Sequence, residues 1–438
     1  MNIGVNKYYL EIWWKGIKSL PETTSLHGFK FITDLKRHWI ERICWLMLVV
    51  LSWYGSSLLI AAQYDAFLNN PISFVVETTY KDWNTKFPSV AVCESDNMAA
   101  VEEVSDRIWG PDHDFNIEEV IKELSYYKGV TYYGSLYCGN EDPIPECFMS
   151  NLTYYANLIR SDCESILQNC SWNDVEFSCC DYFRVMDTEV GPCYAINSLQ
   201  GRYKTNPPKL EMMSNRTSGP GNLKFHAMVS SKVYILNEED VPALTTLGAD
   251  IVTVGPEVVF RLVSRNFGII NIENDAAARL ISPEKRKCRY TDENILDVYH
   301  HYSYSACTVQ CRKDAQMRLC NCTNFFMPNI LKARWSSRKG LFCDCLPSCT
   351  EAEINIVKDF QEFTQATGEV HVQMAALPNE RYRRNVVRGI LDLVVSTGGT
   401  AGLFLGASIL SFVELLYILL FRPIPNKKHN LKIYIFAW

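Results

Sequence analysis

LVVSTGGTAGLFLGASILSFVELLYILLF (residues 393–421) is a run of 29 residues with a single charge, Glu414. About 20 apolar residues cross a bilayer core of roughly 30 Å. The run is therefore longer than a straight span needs, which predicts tilt, a break or an extension past the bilayer. Gly398, Gly402 and Gly406 recur every four residues, and Leu410 and Glu414 continue the stripe, so all five share one slowly drifting helical face. Small residues at that spacing let helices approach closely in lipid. An intramembrane carboxylate normally faces water or a partner. Two readings follow: helix packing without a pore, or a symmetric oligomer whose axis is lined by rings of small residues and a ring of carboxylates.

A second apolar run, ICWLMLVVLSWYGSSLLIAA, occupies residues 43–62 and carries no charge. It begins too far from Met1 for a cleaved signal peptide, and its rival is a buried soluble helix. Residues 1–42 carry seven Lys/Arg against four acids, and residues 421–438 carry four Lys/Arg and no acid. Basic residues at both membrane ends place both termini in the cytoplasm. The expected plan is a cytosolic N-terminus (1–42), a first span (43–62), an extracellular domain (63–392), a second span (393–421) and a short cytosolic C-terminus (422–438), in the plasma membrane. Sixteen of the 17 cysteines and the four N-x-S/T sequons, at Asn151, Asn169, Asn215 and Asn321, all lie in the segment placed outside. Disulfides persist and glycans are added on that side.

The whole chain has 438 residues and a net charge of −6, with a pI near 5.8 and a mean hydropathy of −0.08. The acidic balance argues against a nucleic-acid binder. The cysteine count argues against a reduced cytosolic enzyme lacking a metal. No H-E-x-x-H, G-x-S-x-G or phosphate-binding glycine loop is present, so an anchored enzyme has no motif behind it. His300-His301 reads as a surface pair on a helix, with a metal or proton site as the rival. Residues 72–93, 224–236 and 258–263 read as strands and 116–127 and 152–167 as helices, giving an α+β domain between the spans.

From Cys307 the cysteines run C-x3-C-x8-C-x-C-x20-C-x-C-x3-C to Cys349. A zinc ribbon could use such spacing, but an oxidising, glycosylated setting favours disulfides, whose pairing the sequence does not fix. YSYSAC (302–307), CNC (320–322) followed by Pro328, and CLPSC (345–349), together with FPSVAVC (87–93), CCDYF (179–183) and TEVGPCYAIN (188–197), resemble the degenerin/epithelial sodium channel family, within it the insect pickpocket-like branch. The resemblance covers nearly the whole chain.

What it implies is a trimer with a disulfide-rich palm, finger and thumb, the thumb-like module being 288–349. The implied disulfides are Cys93–Cys193, Cys288–Cys349, Cys307–Cys345 and Cys311–Cys343. Cys138, Cys147, Cys163, Cys170, Cys179, Cys180, Cys320 and Cys322 are left without assigned partners; for Cys320 and Cys322 the family's usual partners are missing from 323–342. Gly406, Ala407 and Ser408 match the selectivity belt, where the second helix is interrupted and carbonyls face the ion. Gly398, Gly399, Gly402, Leu410 and Glu414 would line the pore, and Gly402 falls where the family binds amiloride. A further acid found in some members is Tyr417 here. SLHGF (25–29) resembles the His-Gly motif, which gives His27 and Gly28 a gating role. Val395 stands where the family usually has a small residue, and bulk there tends to hold the channel open. The implied function is a subunit of a sodium-selective, voltage-independent, amiloride-sensitive channel, gated through its ectodomain by an unidentified stimulus. It would work as a homo- or heterotrimer with related subunits, in contact with membrane lipid, with Na+ as permeant ion and neither cofactor nor metal. The alternative is a non-conducting accessory subunit that assembles with a conducting relative.

Overall fold

A computed structural model of the protein describes residues 27–34, 36–69, 71–78, 83–126, 132–138, 152–201, 210–246, 251–255, 262–321, 343–362, 368–387, 389–408, 410, 411 and 413. The chain divides into two compact units, residues 1–73 with 386–438, and residues 74–385.

In the first unit the uncharged run becomes helix α1 (Trp39–Asn69), long and apolar enough to cross a membrane. At 1.5 Å per residue its 31 residues reach about 46 Å, so it outruns the 43–62 stretch at both ends. Most of its large apolar side chains are exposed, which in water would be a severe cost. A turn at His27-Gly28 and a short helix, Phe29–Thr33, precede it. Phe31 stacks on Trp45 with ring centroids 4.5 Å apart, and the Arg42 guanidinium donates to the Ile32 carbonyl at 2.7 Å. A shorter apolar helix, Ile390–Leu405, packs against α1.

The second unit is a sheet sandwich. One mixed sheet runs in the order β1 (Ile72–Glu77), β15 (Arg381–Val386), β12 (Leu262–Asn274), β14 (Gly368–Met374), β9 (Asn222–Ala227), β4 (Leu167–Trp172) and β5 (Val175–Phe177), with β13 (Glu353–Glu362) also paired to β12. The other runs β11 (Ile251–Val254), β10 (Ser230–Leu236), β3 (Ser89–Asp96), β7 (Gly191–Ile196) and β6 (Arg184–Thr188). A small ladder pairs β2 (Thr85–Lys86) with β8 (Met213–Ser214). Strand β12 is long enough to change partners: it pairs parallel with β14 over 262–267 and with β15 over 271–274.

Period-two alternation explains the core. Leu223, Phe225 and Ala227 of β9 and Val370, Val372 and Met374 of β14 point inward, against Val90 and Val92 of β3 and Val233 and Ile235 of β10. The alternate residues of β3, Ala91 and Cys93, enter a second core with Met186, Tyr299 and Val309. Strand β3 is therefore buried on both faces, as its near-continuous VAVC run requires.

Helices α2 (Met98–Trp109) and α3 (Phe115–Ser125) start on the side-chain caps of Asn97 and Asp114. With α4 (Leu152–Ile159) they close a small core around Val101, Ile117, Ile121 and Ile159. Arg160 ties this helical group to the sandwich by donating to the carbonyls of Ser125, Val190 and Pro192 at 2.8–3.1 Å. Three sequence expectations change. The helix expected over 152–167 stops at Ile159, and from Leu167 the chain is strand β4, because pairing with β9 captures it. The 224–236 stretch is two strands in two different sheets. His300-His301 lies in irregular chain rather than on a helix. Most of 258–263 lies outside the described residues.

Six disulfides with both partners among the described residues staple this unit. Cys307 and Cys311 stand one turn apart on α5 (Tyr304–Cys320), so both face one side. Cys345 and Cys343, two apart in extended chain, also share a side and bond to them in turn. Cys288–Cys349 closes the base, and the buried Arg384 of β15 contacts the Cys288 sulfur at 2.6 Å. Cys93–Cys193 links β3 to β7, while Cys163–Cys180 and Cys170–Cys179 pin the short helix Cys179–Tyr182. Cys138 is also disulfide-bonded. Cys147, Cys322 and the Cys320 side chain lie outside the described residues. The buried Glu189 carboxylate receives both the Nε and an Nη of Arg312, at 2.9 and 2.5 Å, which anchors α5 to the β6–β7 turn.

Three carboxylates are gathered where α5 begins. Glu239 accepts from Ser348 Oγ at 2.8 Å and Thr350 Oγ1 at 3.1 Å, and Asp240 accepts from Ser305 Oγ at 2.6 Å. Burial raises both, and burial together with the charges of Asp240 and Glu239 pushes Glu351 up to about 7. Folded Glu351 thus keeps its proton to a higher pH than it does in the unfolded chain. Its contribution to stability is fully present below the ordinary carboxylate range and is lost as pH rises through about 7. Glu351→Gln is expected to raise the melting temperature at about pH 8 and to leave it unchanged near pH 4; equal shifts at both values would remove Glu351 from this role.

Candidate functional site at the helix break

Helix α6 (Ile390–Leu405) begins where the Asp392 carboxylate accepts the Gly389 N–H at 2.9 Å, an acid placed to complement the positive helix end. It stops at Gly406, whose φ of 66° is left-handed. The Gly406 N–H returns to the Gly402 carbonyl at 3.0 Å and the Ala407 N–H to Ala401 at 3.3 Å, a left-handed C-cap. Ser408 then starts a new turn. Its Oγ accepts the Ser411 N–H at 3.2 Å, while Ser411 Oγ accepts the Ser408 N–H at 3.1 Å. That reciprocity has the geometry of a capping box, with serine in place of the usual acid. Gly406, Ala407 and Ser408 form a non-helical joint, with helix resumed at Leu410, Ser411 and Val413.

The joint is held from the N-terminal side. The His27 N–H donates to the Leu405 carbonyl at 3.0 Å, a carbonyl that an unbroken helix would bond to residue 409. The His27 ring covers Gly406 so closely that a Cβ there would stand 2.5 Å from its Cδ2. Gly28 is itself left-handed, with φ 85°, and a Cβ on it would meet Val49 Cγ2 at 2.5 Å. Both glycines are needed for conformation and for space.

One face of α6, at Leu393, Thr397, Thr400, Ala401 and Phe404, is more covered than the rest, and it is the face that meets α1. Val395, Gly398 and Gly399 lie on the other face. Val395 is 71% exposed, and a Cβ at Gly398 or Gly399 would meet nothing within 4 Å. Gly402 looks only toward the Ala407 carbonyl, at 3.9 Å. The glycine stripe is therefore not what packs α6 against α1. Leu410 is also exposed, and Glu414 and Tyr417 lie outside the described residues.

The joint presents backbone carbonyls and hydroxyls, the oxygen chemistry that replaces the hydration shell of a small cation. Among the described residues no cluster of three or more His, Cys, Asp or Glu could hold a metal. Of the sequons, Asn169 and Asn321 are exposed, the Asn215 amide donates to Asn84 Oδ1 at 3.0 Å, and Asn151 lies outside the described residues. Sequence reading missed the Ser411 half of the cap, although its spacing of three from Ser408 is the capping-box signal.

A family model described as "Amiloride-sensitive sodium channel" matches residues 20–418. The Sodium channel protein Nach of Drosophila melanogaster is 22% identical, over 94% of this chain and 87% of its own. Pickpocket protein 28 of Drosophila melanogaster is 24% identical, over 92% of this chain and 78% of its own. A cryo-EM structure of a proton-activated chloride channel covers 86% of this chain and 96% of its own at 8% identity and a TM-score of 0.28, too slight a likeness to argue from. The match across nearly the whole length makes this chain a member of the amiloride-sensitive sodium channel family, a family of ion channels and not of enzymes.

Proposed function

We propose that this chain is a subunit of a trimeric, sodium-preferring, amiloride-sensitive channel of the plasma membrane. Helices α1 and α6 with its continuation span the bilayer, both termini are cytosolic, and the disulfide-stapled sandwich lies outside. The observation that carries the reading is the joint at Gly406–Ser408 beside a glycine face left open by α1. Irregular backbone at membrane depth is tolerated where it lines water or is buried in protein. Three copies with these faces turned inward would ring the axis with carbonyl and hydroxyl oxygens at 406–408, with Gly398, Gly399, Gly402 and Leu410 along the path and Glu414 below. Amiloride would enter from outside and stop near Gly402. The stimulus acts through the outer domain, and the His27-Gly28 turn sets how firmly the joint is held.

Whole-cell current from this chain alone, with surface delivery confirmed, is expected to be inward in sodium, to vanish when a large impermeant cation replaces it, and to be blocked by amiloride. A protein that reaches the surface and stays silent with every related subunit supplied would sink the reading; current appearing only with a relative would shift it to an accessory role. Gly406→Ala carries a left-handed penalty of about 1–2 kcal/mol and drives a methyl into His27. It is expected to lower the sodium-to-potassium permeability ratio, read from the reversal potential, and an unchanged ratio would take the filter away from the joint. Val395→Ala is expected to reduce resting current at equal surface density, and no change would free Val395 of a gating role.

A further inference from the structure

Breaking a helix leaves the carbonyls of its last turn without their i+4 donors. Had α6 continued, the Phe404 carbonyl would accept from the Ser408 N–H and the Leu405 carbonyl from residue 409. Ser408 instead gives its N–H to Ser411 Oγ. Leu405 is served by His27. Phe404 is served from the middle of α1, where Ser52 Oγ donates to its carbonyl at 2.5 Å.

A serine or threonine inside an apolar helix commonly returns its hydroxyl to a carbonyl of its own preceding turn. Ser57 does so to Tyr54 at 2.8 Å and Thr400 to Ser396 at 2.9 Å. Ser52 turns across to the other helix. Gly55, one turn on, lies beside the Phe404 ring, and a Cβ there would stand in ordinary contact with it at 3.6 Å. Further along the same face, Gln63 Nε2 donates to Thr400 Oγ1 at 3.0 Å and fixes the axial register of the two helices.

We propose that Ser52 is a positioning residue of the joint: its hydroxyl supplies the donor that the Phe404 carbonyl loses where α6 stops, and so removes the penalty that would otherwise draw 406–408 back into the helix. This rests on the reading of 406–408 as the filter. Without the Ser52 donor, the Phe404 carbonyl is an unpaired acceptor in an apolar setting, a costly state. The nearest relief is the Ser408 N–H. Forming that bond extends α6, breaks the Ser408–Ser411 cap and withdraws the joint's carbonyls from the axis. Ser52 sets the geometry of the site and touches no ion.

Two readouts on the full chain test this, each with Ser52→Ala and with Ser52→Thr, which keeps the hydroxyl. In bi-ionic sodium and potassium, Ser52→Ala is expected to lower the permeability ratio roughly threefold to tenfold, the factor commonly tied to one lost hydrogen bond, with Ser52→Thr near wild type. In purified protein, amide exchange in a peptide spanning residues 402–413 is expected to slow in Ser52→Ala, because the interrupted segment becomes continuous helix, and to be unchanged in Ser52→Thr. Equal exchange in all three proteins overturns the proposal, whether or not they conduct. Altered exchange with an unchanged permeability ratio leaves Ser52 holding the joint but moves the filter elsewhere. A wild type that carries no current counts against the channel reading alone, and the exchange result still decides Ser52.

Discussion

The hydrogen bond from the His27 N–H to the Leu405 carbonyl serves a backbone acceptor that the end of α6 would leave open. In the bilayer position proposed for α6 an unsatisfied peptide group would cost several kcal/mol, so a break there requires that other chain supply what the break removes. The break at Gly406 is met in three ways: by its own left-handed cap, by the reciprocal serines that restart the helix, and by donors brought from the first helix and the turn before it. On the proposal made for Ser52, taking the donors away favours continuation of α6 through 406–408.

Close approach is what makes those donors available. Gly28 lets the turn fold against Val49, and Gly406 lets the His27 ring lie on the joint. Each position replaces a side chain with a neighbour's atoms. The glycines at 398 and 399 differ in kind, because among the described residues no atom fills their space. Glycines of this unit thus fall into two kinds, some packed within the chain and some facing away from it.

Much of this was legible in the residues. The apolar runs marked both helices, and excess length in the second left tilt, a break or an extension open, with the break at 406–408 implied by the resemblance alone. The order of cysteine motifs located the module that α5 and the 343–349 segment now build. Apolar, β-branched stretches marked β3 and the 224–236 segment, but not that 224–236 passes from one sheet into another, since no glycine or proline marks the corner. The helical pattern over 152–167 ran on through Leu167 because local spacing carries no information about a partner strand 55 residues later. Ser52 was hidden for the same reason. A serine in a hydrophobic run reads as a helix hydroxyl bonded to its own backbone, and only the position of Phe404 says otherwise.

The pairing of β12 also sets an order of biosynthesis. Its parallel partners, β14 and β15, lie about a hundred residues further along the chain, and non-local parallel pairing is slow. While a ribosome extends the chain, β12 waits with both edges open until β13, β14 and β15 are made, an invitation to wrong partners. The cysteine pairs 163–180 and 170–179, separated by 17 and 9 residues, can close early. The last strand of the sheet, β15, ends four residues before α6 begins. Completion of the large sheet and delivery of the second apolar helix therefore fall in one short interval of synthesis, and a pause or truncation near residue 386 would strand both at once.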